Sequence, residues 1–360
     1  MMNISISTYQ VKKGDTLQSV AEELGISAEA LKRYHNTYCD LKNLIGVDLK
    51  GIQEVIIPSK NQIAELKEVQ KQLSYSEKLP ALYLNKTFYY PTYEVTESIE
   101  TLGQEDIKIN YSTAIKLNEI SDRGFIAIVN NSDFKKKGQS PDDKISMLSL
   151  ACMESISPVA FLVPVQGKLK GFYEHKTLVK KFENKRADLE SFFIGDINKA
   201  YFDKFYSNIT KENYLLKQFC STLLYQVLFP EMDWFRRKKE WEEEFFIIQN
   251  SFPVNCRFIT EYNFENPENV EIIIKGEIKE NCSLQELLRG LKLEEEGAET
   301  LSGDIELKYT THKLTKQLQK VEAEVILWHE DEQYNKHTLL LIAKQEEEKP
   351  KKKYNTLVDK

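Results

Sequence analysis

The chain has 360 residues, of which 41% are hydrophobic and 29% charged, with a formal net charge of −7. That length accommodates two or three domains, and the apolar content is that of a globular protein rather than a disordered one. An acidic balance without a concentrated basic face argues against nucleic acid as a partner, and no apolar run reaches the ~18–20 residues that span a membrane.

Residues 1–7 contain no basic segment leading into a continuous apolar one, so they do not read as a secretory signal. A cytoplasmic location is expected, with any cell-envelope association by a non-classical route. The five cysteines, Cys39, Cys152, Cys220, Cys256 and Cys282, are scattered without a C-x-x-C pair. They read as free thiols of a reducing compartment rather than a disulfide scaffold or a zinc site.

Residues 8–11 alternate apolar and polar side chains and predict a short half-buried strand. Lys13-Gly14-Asp15 breaks it. Asp15 is the expected N-cap of a first helix, with Gln18 reaching back to it. Leu17, Val20, Ala21 and Leu24 then form one apolar stripe, and Gly25 is placed to end the helix. Ser27 is the expected cap of a second helix, from residue 28 to about 35, turning Leu31 and Tyr34 inward beside Ile26. After a loop, residues 54–58 read as a closing strand ended by Pro58. The order is β-α-α-β within residues 7–58.

Tyr9-x-Val11-x-x-Gly14-Asp15-Thr16-Leu17-x-x-Val20-Ala21-x-x-x-Gly25, followed by Leu31, Asn36 and a final Ile57-Pro58, resembles the LysM family. The resemblance implies a non-catalytic module for N-acetylglucosamine polymers such as peptidoglycan or chitin. Family members bind them in a shallow groove between the loop after the first strand and the loop before the last. Carried onto this sequence, the groove residues are Gly14, Asp15, Thr16 and Leu17 on one side and Ile45, Gly46, Gly51 and Ile52 on the other. Backbone groups would bond the acetamido group, while Leu17 with Ile45 or Ile52 covers the sugar's apolar face. The loop over residues 37–53 is longer here than is usual for the family. LysM modules also resemble parts of phage-tail and contractile-injection proteins of the type VI secretion kind. The alternative expectation is therefore a cytoplasmic assembly or adaptor protein whose partners are other proteins of a larger machine.

Ile63, Leu66, Val69, Gln70 and Leu73 follow helical spacing and predict an amphipathic linker helix within 61–78 that docks on a neighbour. Residues 79–345 belong to no recognisable family. Period-two runs at 82–84, 107–111, 125–129, 159–165, 245–248, 256–262, 270–278 and 305–309 predict strands, and 321–329 with 336–343 predict a hairpin. Residues 130–144 read as a mobile polar loop turning at Lys135-Lys136-Lys137-Gly138. A helical segment is expected near 177–229, with Asp196 and Thr210 as caps and Pro230 as its stop. The predicted class is α+β: a β-α-α-β module, a linker helix, and a larger α+β domain with a mostly antiparallel sheet. Residues 346–360 read as a charged, solvated tail.

Residues 153–160, Met-Glu-Ser-Ile-Ser-Pro-Val-Ala, superficially resemble the catalytic glutamate segment of lytic transglycosylases, but the turn expected after it is replaced by a β-like run. His312, His329 and His337, beside Glu330 and Asp331, lack any spacing that puts two metal ligands on one face. The acidic cluster 240–244 reads as a solvated helix end. No G-x-x-x-x-G-K-[ST] or G-x-G-x-x-G run occurs. The expectation is a non-enzymatic protein with no catalytic residues, no metal and no cofactor.

Overall fold

The computed structural model describes residues 7–121, 124–292, 301–330 and 332–344, with backbone alone at 69–74 and 121. The expected tail at 346–360, Asp331, and the side chains of Val69, Gln70 and Leu73 lie outside the described residues. The chain divides into two compact units, Met1–Lys78 and Leu79–Lys360.

The first unit runs β1 (Ser7–Gln10), α1 (Leu17–Leu24), α2 (Ala28–Tyr38), a 3-10 turn at Leu41–Asn43, β2 (Glu54–Ile57) and α3 (Lys60–Lys78). The β-α-α-β order and the helix after it are as the residue pattern predicts. β1 and β2 pair antiparallel with Tyr9 opposite Val55, and the Val11 N–H extends the ladder to the Gln53 carbonyl at 2.9 Å. Thr16, not Asp15, caps α1. Its hydroxyl accepts from the Ser19 N–H, while the Ser19 hydroxyl accepts from the Thr16 N–H, both at 3.0 Å. The Asp15 carboxylate turns back toward the strand instead, where Oδ2 accepts from the Lys12 N–H (2.7 Å) and the Tyr9 hydroxyl (3.0 Å). Gly25, at φ 65°, closes α1 in the left-handed conformation that an L side chain resists, and Ser27 caps α2. Val20, Ala21, Ile26, Leu31, Ile45, Leu49 and Val55 form the core, against which Ile63 and Leu66 of α3 pack.

The second unit is organised by an eleven-stranded sheet. Its elements are β3 (Thr92–Thr101), β4 (Ile107–Ser121), β5 (Gly124–Lys136), α4 (Lys144–Ile156), β6 (Val159–Pro164), β7 (Gly171–Phe172), α5 (His175–Phe192), α6 (Asp196–Ile209), α7 (Glu212–Cys220) and α8 (Leu223–Leu228). After a 3-10 turn at Met232–Arg236 come β8 (Trp241–Phe245), β9 (Val254–Asn263), β10 (Asn269–Ile278), α9 (Leu284–Arg289), β11 (Ser302–His312), β12 (Leu318–His329) and β13 (Glu332–Ala343). The strand order is β7-β6-β5-β4-β3-β13-β12-β11-β10-β9-β8, and the named strands pair antiparallel. Two meanders thus meet at the centre, where β3 pairs with β13 and Val95 lies opposite Leu341.

The helices α5–α8 carry the chain from the β7 edge to β8, and the sheet curls far enough for its two edges to approach: Lys168, between β6 and β7, pairs with Glu243 of β8 at 2.6 Å. Their side chains and the inner face of the sheet form one core. Phe161 of β6 meets Phe219 of α7 and Tyr225 of α8 at ring distances of 5.2 and 5.3 Å, and Phe235 meets Tyr309 of β11 at 4.9 Å. The opposite face is polar and paired across strands, with Lys275–Glu261 at 2.8 Å, Lys308–Glu271 at 3.2 Å and Lys336–Glu324 at 2.7 Å. Such exposed pairs set register more than stability, at about 0.2–1 kcal/mol each.

Several local expectations are corrected. Residues 82–84 form no strand: Leu82 and Tyr83 are exposed, and Leu84 turns inward with its N–H on the Val165 carbonyl. Residues 130–136 continue β5 instead of forming a loop, and α4, capped by Asp143, follows the turn at Lys137 and Gly138. Residues 241–245 are strand β8, not a helix end, because Trp241 and Phe245 face inward between the glutamates. Gly195 rather than Asp196 precedes α6, and Thr210 ends that helix instead of starting α7.

Candidate functional site

The antiparallel register of β1 and β2 decides where the first unit's loops go. Since Val11 pairs with Gln53, the chain leaving β1 at Lys12 and the chain arriving at β2 through Ile52 share one end of the ribbon. Residues 12–17 and 44–53 therefore form the two banks of a single surface.

The first bank is held by Asp15. Besides its two accepted bonds, its own N–H reaches the Lys12 carbonyl at 3.1 Å, and Gly14 sits at φ 101° at the tip. The hydrogen bond to Asp15 raises the Tyr9 phenol above its ordinary pKa, since ionising it would set two anions together. Thr16 is exposed and occupied as the cap, and Leu17 is half-buried.

The second bank is clamped from α2. The Asn36 side chain accepts from the Ile45 N–H at 2.8 Å and donates to the Ile45 carbonyl at 3.0 Å. His35, 1% exposed, accepts at Nδ1 from the Ile56 N–H (2.9 Å), which leaves Nε2 carrying the proton that bonds the Asn43 carbonyl (2.8 Å). One turn of helix thereby holds the loop at both its start and its return to β2. Within the loop, the Lys50 N–H bonds the Asp48 carboxylate at 3.0 Å and the Ile52 N–H bonds the Leu49 carbonyl at 3.0 Å.

Of the second-bank candidates, Gly46 and Gly51 are exposed and Ile52 is half-buried. Ile45, expected to cover a sugar face, is instead 2% exposed and part of the core. The Asn36 clamp explains this: with both backbone groups of Ile45 turned to Asn36, its side chain points under the loop. Leu44 and Val47 are the aliphatic side chains this loop exposes; the run Leu44-Ile45-Gly46-Val47 has no periodicity that separates them from the buried Ile45. The clamp itself was half legible, since Asn36 belongs to the motif, whereas His35 looks like any polar helix residue.

Residues 9–41 match the LysM domain family model. The match takes in the first bank, α1, α2 and Asn36, and ends before the second bank. No curated protein matches the chain. Among solved structures, it is similar to a chain from a structure of lipid–protein interactions in lipovitellin, with 8% identity and a TM-score of 0.36. The similarity covers 71% of this chain and 24% of that one, so the chain spans about a quarter of lipovitellin's length. The LysM domain suggests glycan or peptidoglycan binding for the first unit and nothing for the second.

The second unit places His312, His329 and His337 apart. His312 lies at one end of β11, opposite Asn269, while His329 lies at the far end of β12, opposite Glu332. His337 faces the core side of β13, opposite Val325. Among the described residues, no group of three or more His, Cys, Asp or Glu is arranged to hold a metal ion. Glu154 is exposed in the last turn of α4. The five cysteines are unpaired, with Cys152, Cys256 and Cys282 buried, and burial pushes the thiols of Cys152 and Cys256 up to about 12 and that of Cys282 to about 11. Among the described residues, no helix is long and apolar enough to cross a membrane.

Proposed function

We propose that the LysM module is a non-catalytic binding site for N-acetylglucosamine-containing glycan of the peptidoglycan kind, tethering the second unit to that polymer. The observation that carries this reading is the pair of ordered loops leaving one end of the ribbon, with exposed Gly14, Gly46 and Gly51 beside half-buried Leu17 and Ile52. Glycines let a sugar ring approach the backbone, whose N–H and C=O groups suit an acetamido group, and the two aliphatic side chains suit the apolar face of a pyranose. So shallow a site binds weakly, at about millimolar to micromolar dissociation constants for one module.

Gly46 provides a clean test. A Cβ built there meets nothing within 4 Å, and its φ lies outside the left-handed region, so Gly46→Arg blocks the groove without straining the fold. Wild-type chain is expected to sediment with purified insoluble peptidoglycan, and Gly46→Arg and Leu17→Asp to remain in the supernatant. Wild-type protein that stays soluble, or variants that sediment equally, would reject the reading.

A second reading, a protein-contact module of a contractile-injection assembly, is favoured by one observation. Leu41, Leu44 and Val47, 87%, 45% and 99% exposed, put three aliphatic side chains in solvent on the elongated loop, as protein-contact surfaces do. It predicts no sedimentation with peptidoglycan and self-association or co-assembly that Val47→Glu abolishes.

A further inference from the structure

The second unit contains a cavity of about 400 Å³ between the sheet and the helices α4, α6, α7 and α8. Its floor is the inner face of four adjacent strands. Glu97 and Ile99 of β3, Tyr111 of β4, Asn131 of β5 and His337 of β13 all point the same way, because each lies an even number of residues from a buried neighbour on its strand. Register brings two of them near each other. His337 lies opposite Ile99 and Leu339 opposite Glu97, so Glu97 and His337 are diagonal neighbours on one face, about 7–8 Å apart.

A bulge adds an aromatic wall. β5 carries one extra residue where Asn110 and Ser112 pair with Lys135 and Ser132, and Asp133, at φ 59°, turns Phe134 onto the cavity side. There Phe134 stacks on Tyr111 at 5.0 Å. Tyr201, Phe205, Phe219 and Tyr225 complete the walls from the helices, and Met153, Gln249 and Asn250 are exposed at the rim.

The polar groups are unbalanced. Glu97 is the one acidic residue on the lining, and no Lys or Arg stands with it among the described lining residues. Its hydrogen-bonding neighbour is Tyr111. Nε2 of His337 is buried without a hydrogen-bond partner. Thr113 donates to Asn131 at 2.9 Å, and Asn131 in turn bonds Tyr225, so those amide and phenol groups are already matched.

We propose that this cavity binds a small organic cation with an apolar body, an alkyl- or arylammonium compound. An anion would meet Glu97 with no compensating base, and a neutral apolar ligand would leave the Glu97 charge desolvated with Tyr111 as its hydrogen-bonding neighbour and the His337 Nε2 unmatched. An ammonium group donates to Glu97 and, with His337 in its Nδ1–H tautomer, to the bare Nε2 as well, and the faces of Tyr111, Phe134 and their neighbours attract the same charge. The volume falls at the small end of the range for small-molecule sites. This site stands on the second unit alone and does not depend on glycan binding.

Burial supports the assignment and gives it a pH signature. It pushes the Glu97 carboxyl up to about 7 and holds the His337 imidazole down at about 4. The other titratable groups on the lining are Tyr111 of β4, Tyr201 of α6 and Tyr225 of α8; α4 and α7 contribute none. Burial raises the pKa of Tyr111 and Tyr225 further above the neutral range. A cation must therefore displace a proton from Glu97 below about pH 7, and its affinity rises roughly tenfold per pH unit up to that point before levelling.

The test is calorimetric titration of the full chain with three probes of similar shape: phenethylamine, phenethyl alcohol and phenylacetate. The expected result is amine binding at pH 8 with a dissociation constant below about 1 mM. The alcohol and the acid should bind at least tenfold more weakly, and amine affinity should fall about tenfold from pH 8 to pH 6. Glu97→Gln is nearly isosteric and is expected to lose at least tenfold of the amine affinity, together with its pH dependence, and to leave the alcohol unaffected. Equal binding of acid or alcohol, no amine binding at pH 8, or wild-type amine affinity in a folded Glu97→Gln chain would overturn the proposal. The three-probe comparison on wild-type protein decides it even without the variant.

Discussion

Asn36→Ala isolates the clamp on the second bank of the LysM groove. The substitution deletes one hydrogen bond to the Ile45 N–H (2.8 Å) and one to the Ile45 carbonyl (3.0 Å), leaving the buried Ile45 side chain as the loop's anchor. Each neutral bond contributes about 0.5–1.5 kcal/mol net, so the pair is worth about 1–3 kcal/mol, nearer the lower end because water can reach a half-buried site. A loss of that size multiplies local opening of the loop by about 5- to 150-fold. Amide hydrogen exchange reads this directly: Ile45 protection should fall by that factor, while the Leu31 amide, held within α2, keeps its wild-type rate. Sedimentation with peptidoglycan should weaken in parallel, because a loop that spends more time open presents Gly46 and Gly51 less often in the binding geometry. Unchanged Ile45 exchange in a variant lacking both bonds would refute the claim that Asn36 orders this bank. Equal loss of protection at Ile45 and Leu31 would refute it too, by showing that the residue supports the whole module rather than its loop.

Two further outcomes follow from the same geometry. Thr16→Ala removes the capping box of α1 and should cost about 1 kcal/mol, with Thr16→Ser close to wild type; the midpoint of the first unit's denaturant transition measures it, and equal midpoints would return the cap to Asp15. In the second unit, Glu97 and His337 bias stability in opposite directions with pH. Glu97, raised from 4.5 to about 7, contributes stability that is full below 4.5 and is lost as pH rises through about 7. His337, lowered from 6.5 to about 4, contributes stability that is full above 6.5 and is lost as pH falls through about 4. Unfolding of the second unit from pH 4 to 8 should therefore show Glu97→Gln gaining relative to wild type as pH rises and His337→Gln gaining as it falls. Parallel curves for all three proteins would contradict the burial of both groups on the cavity floor.

The local elements of the first unit were legible because their causes are local. The stripe of Leu17, Val20, Ala21 and Leu24, the stop at Gly25 and the strand before Pro58 each follow from residues within a few positions. The misplaced cap shows the limit of that legibility. Asp15 and Thr16 are both competent caps, and the cap falls to Thr16 while Tyr9, on the neighbouring strand, and Lys12 hold the Asp15 carboxylate turned back to the loop. Ile45 moved from groove to core for a similar reason, through a clamp reaching from another helix.

In the second unit, alternation marked most strands, since burial on one face leaves a period of two in the residues. It missed β3, whose Glu97 breaks the apolar half of the pattern, and misread β8, where Glu242, Glu243 and Glu244 surround its inward aromatics. Sequence alone thus decided the elements that a chain segment can specify by itself: the LysM motif, the antiparallel class and the helical stretch between two runs of strands. Tertiary structure decided the pairing of β3 with β13, about 240 residues apart, and with it the meeting of Glu97 and His337 beneath a roof of aromatic helices. The reason is physical. Side-chain period records which face is buried, but not which distant strand lies alongside, and the chemistry of a cavity belongs to neighbours rather than to any one segment.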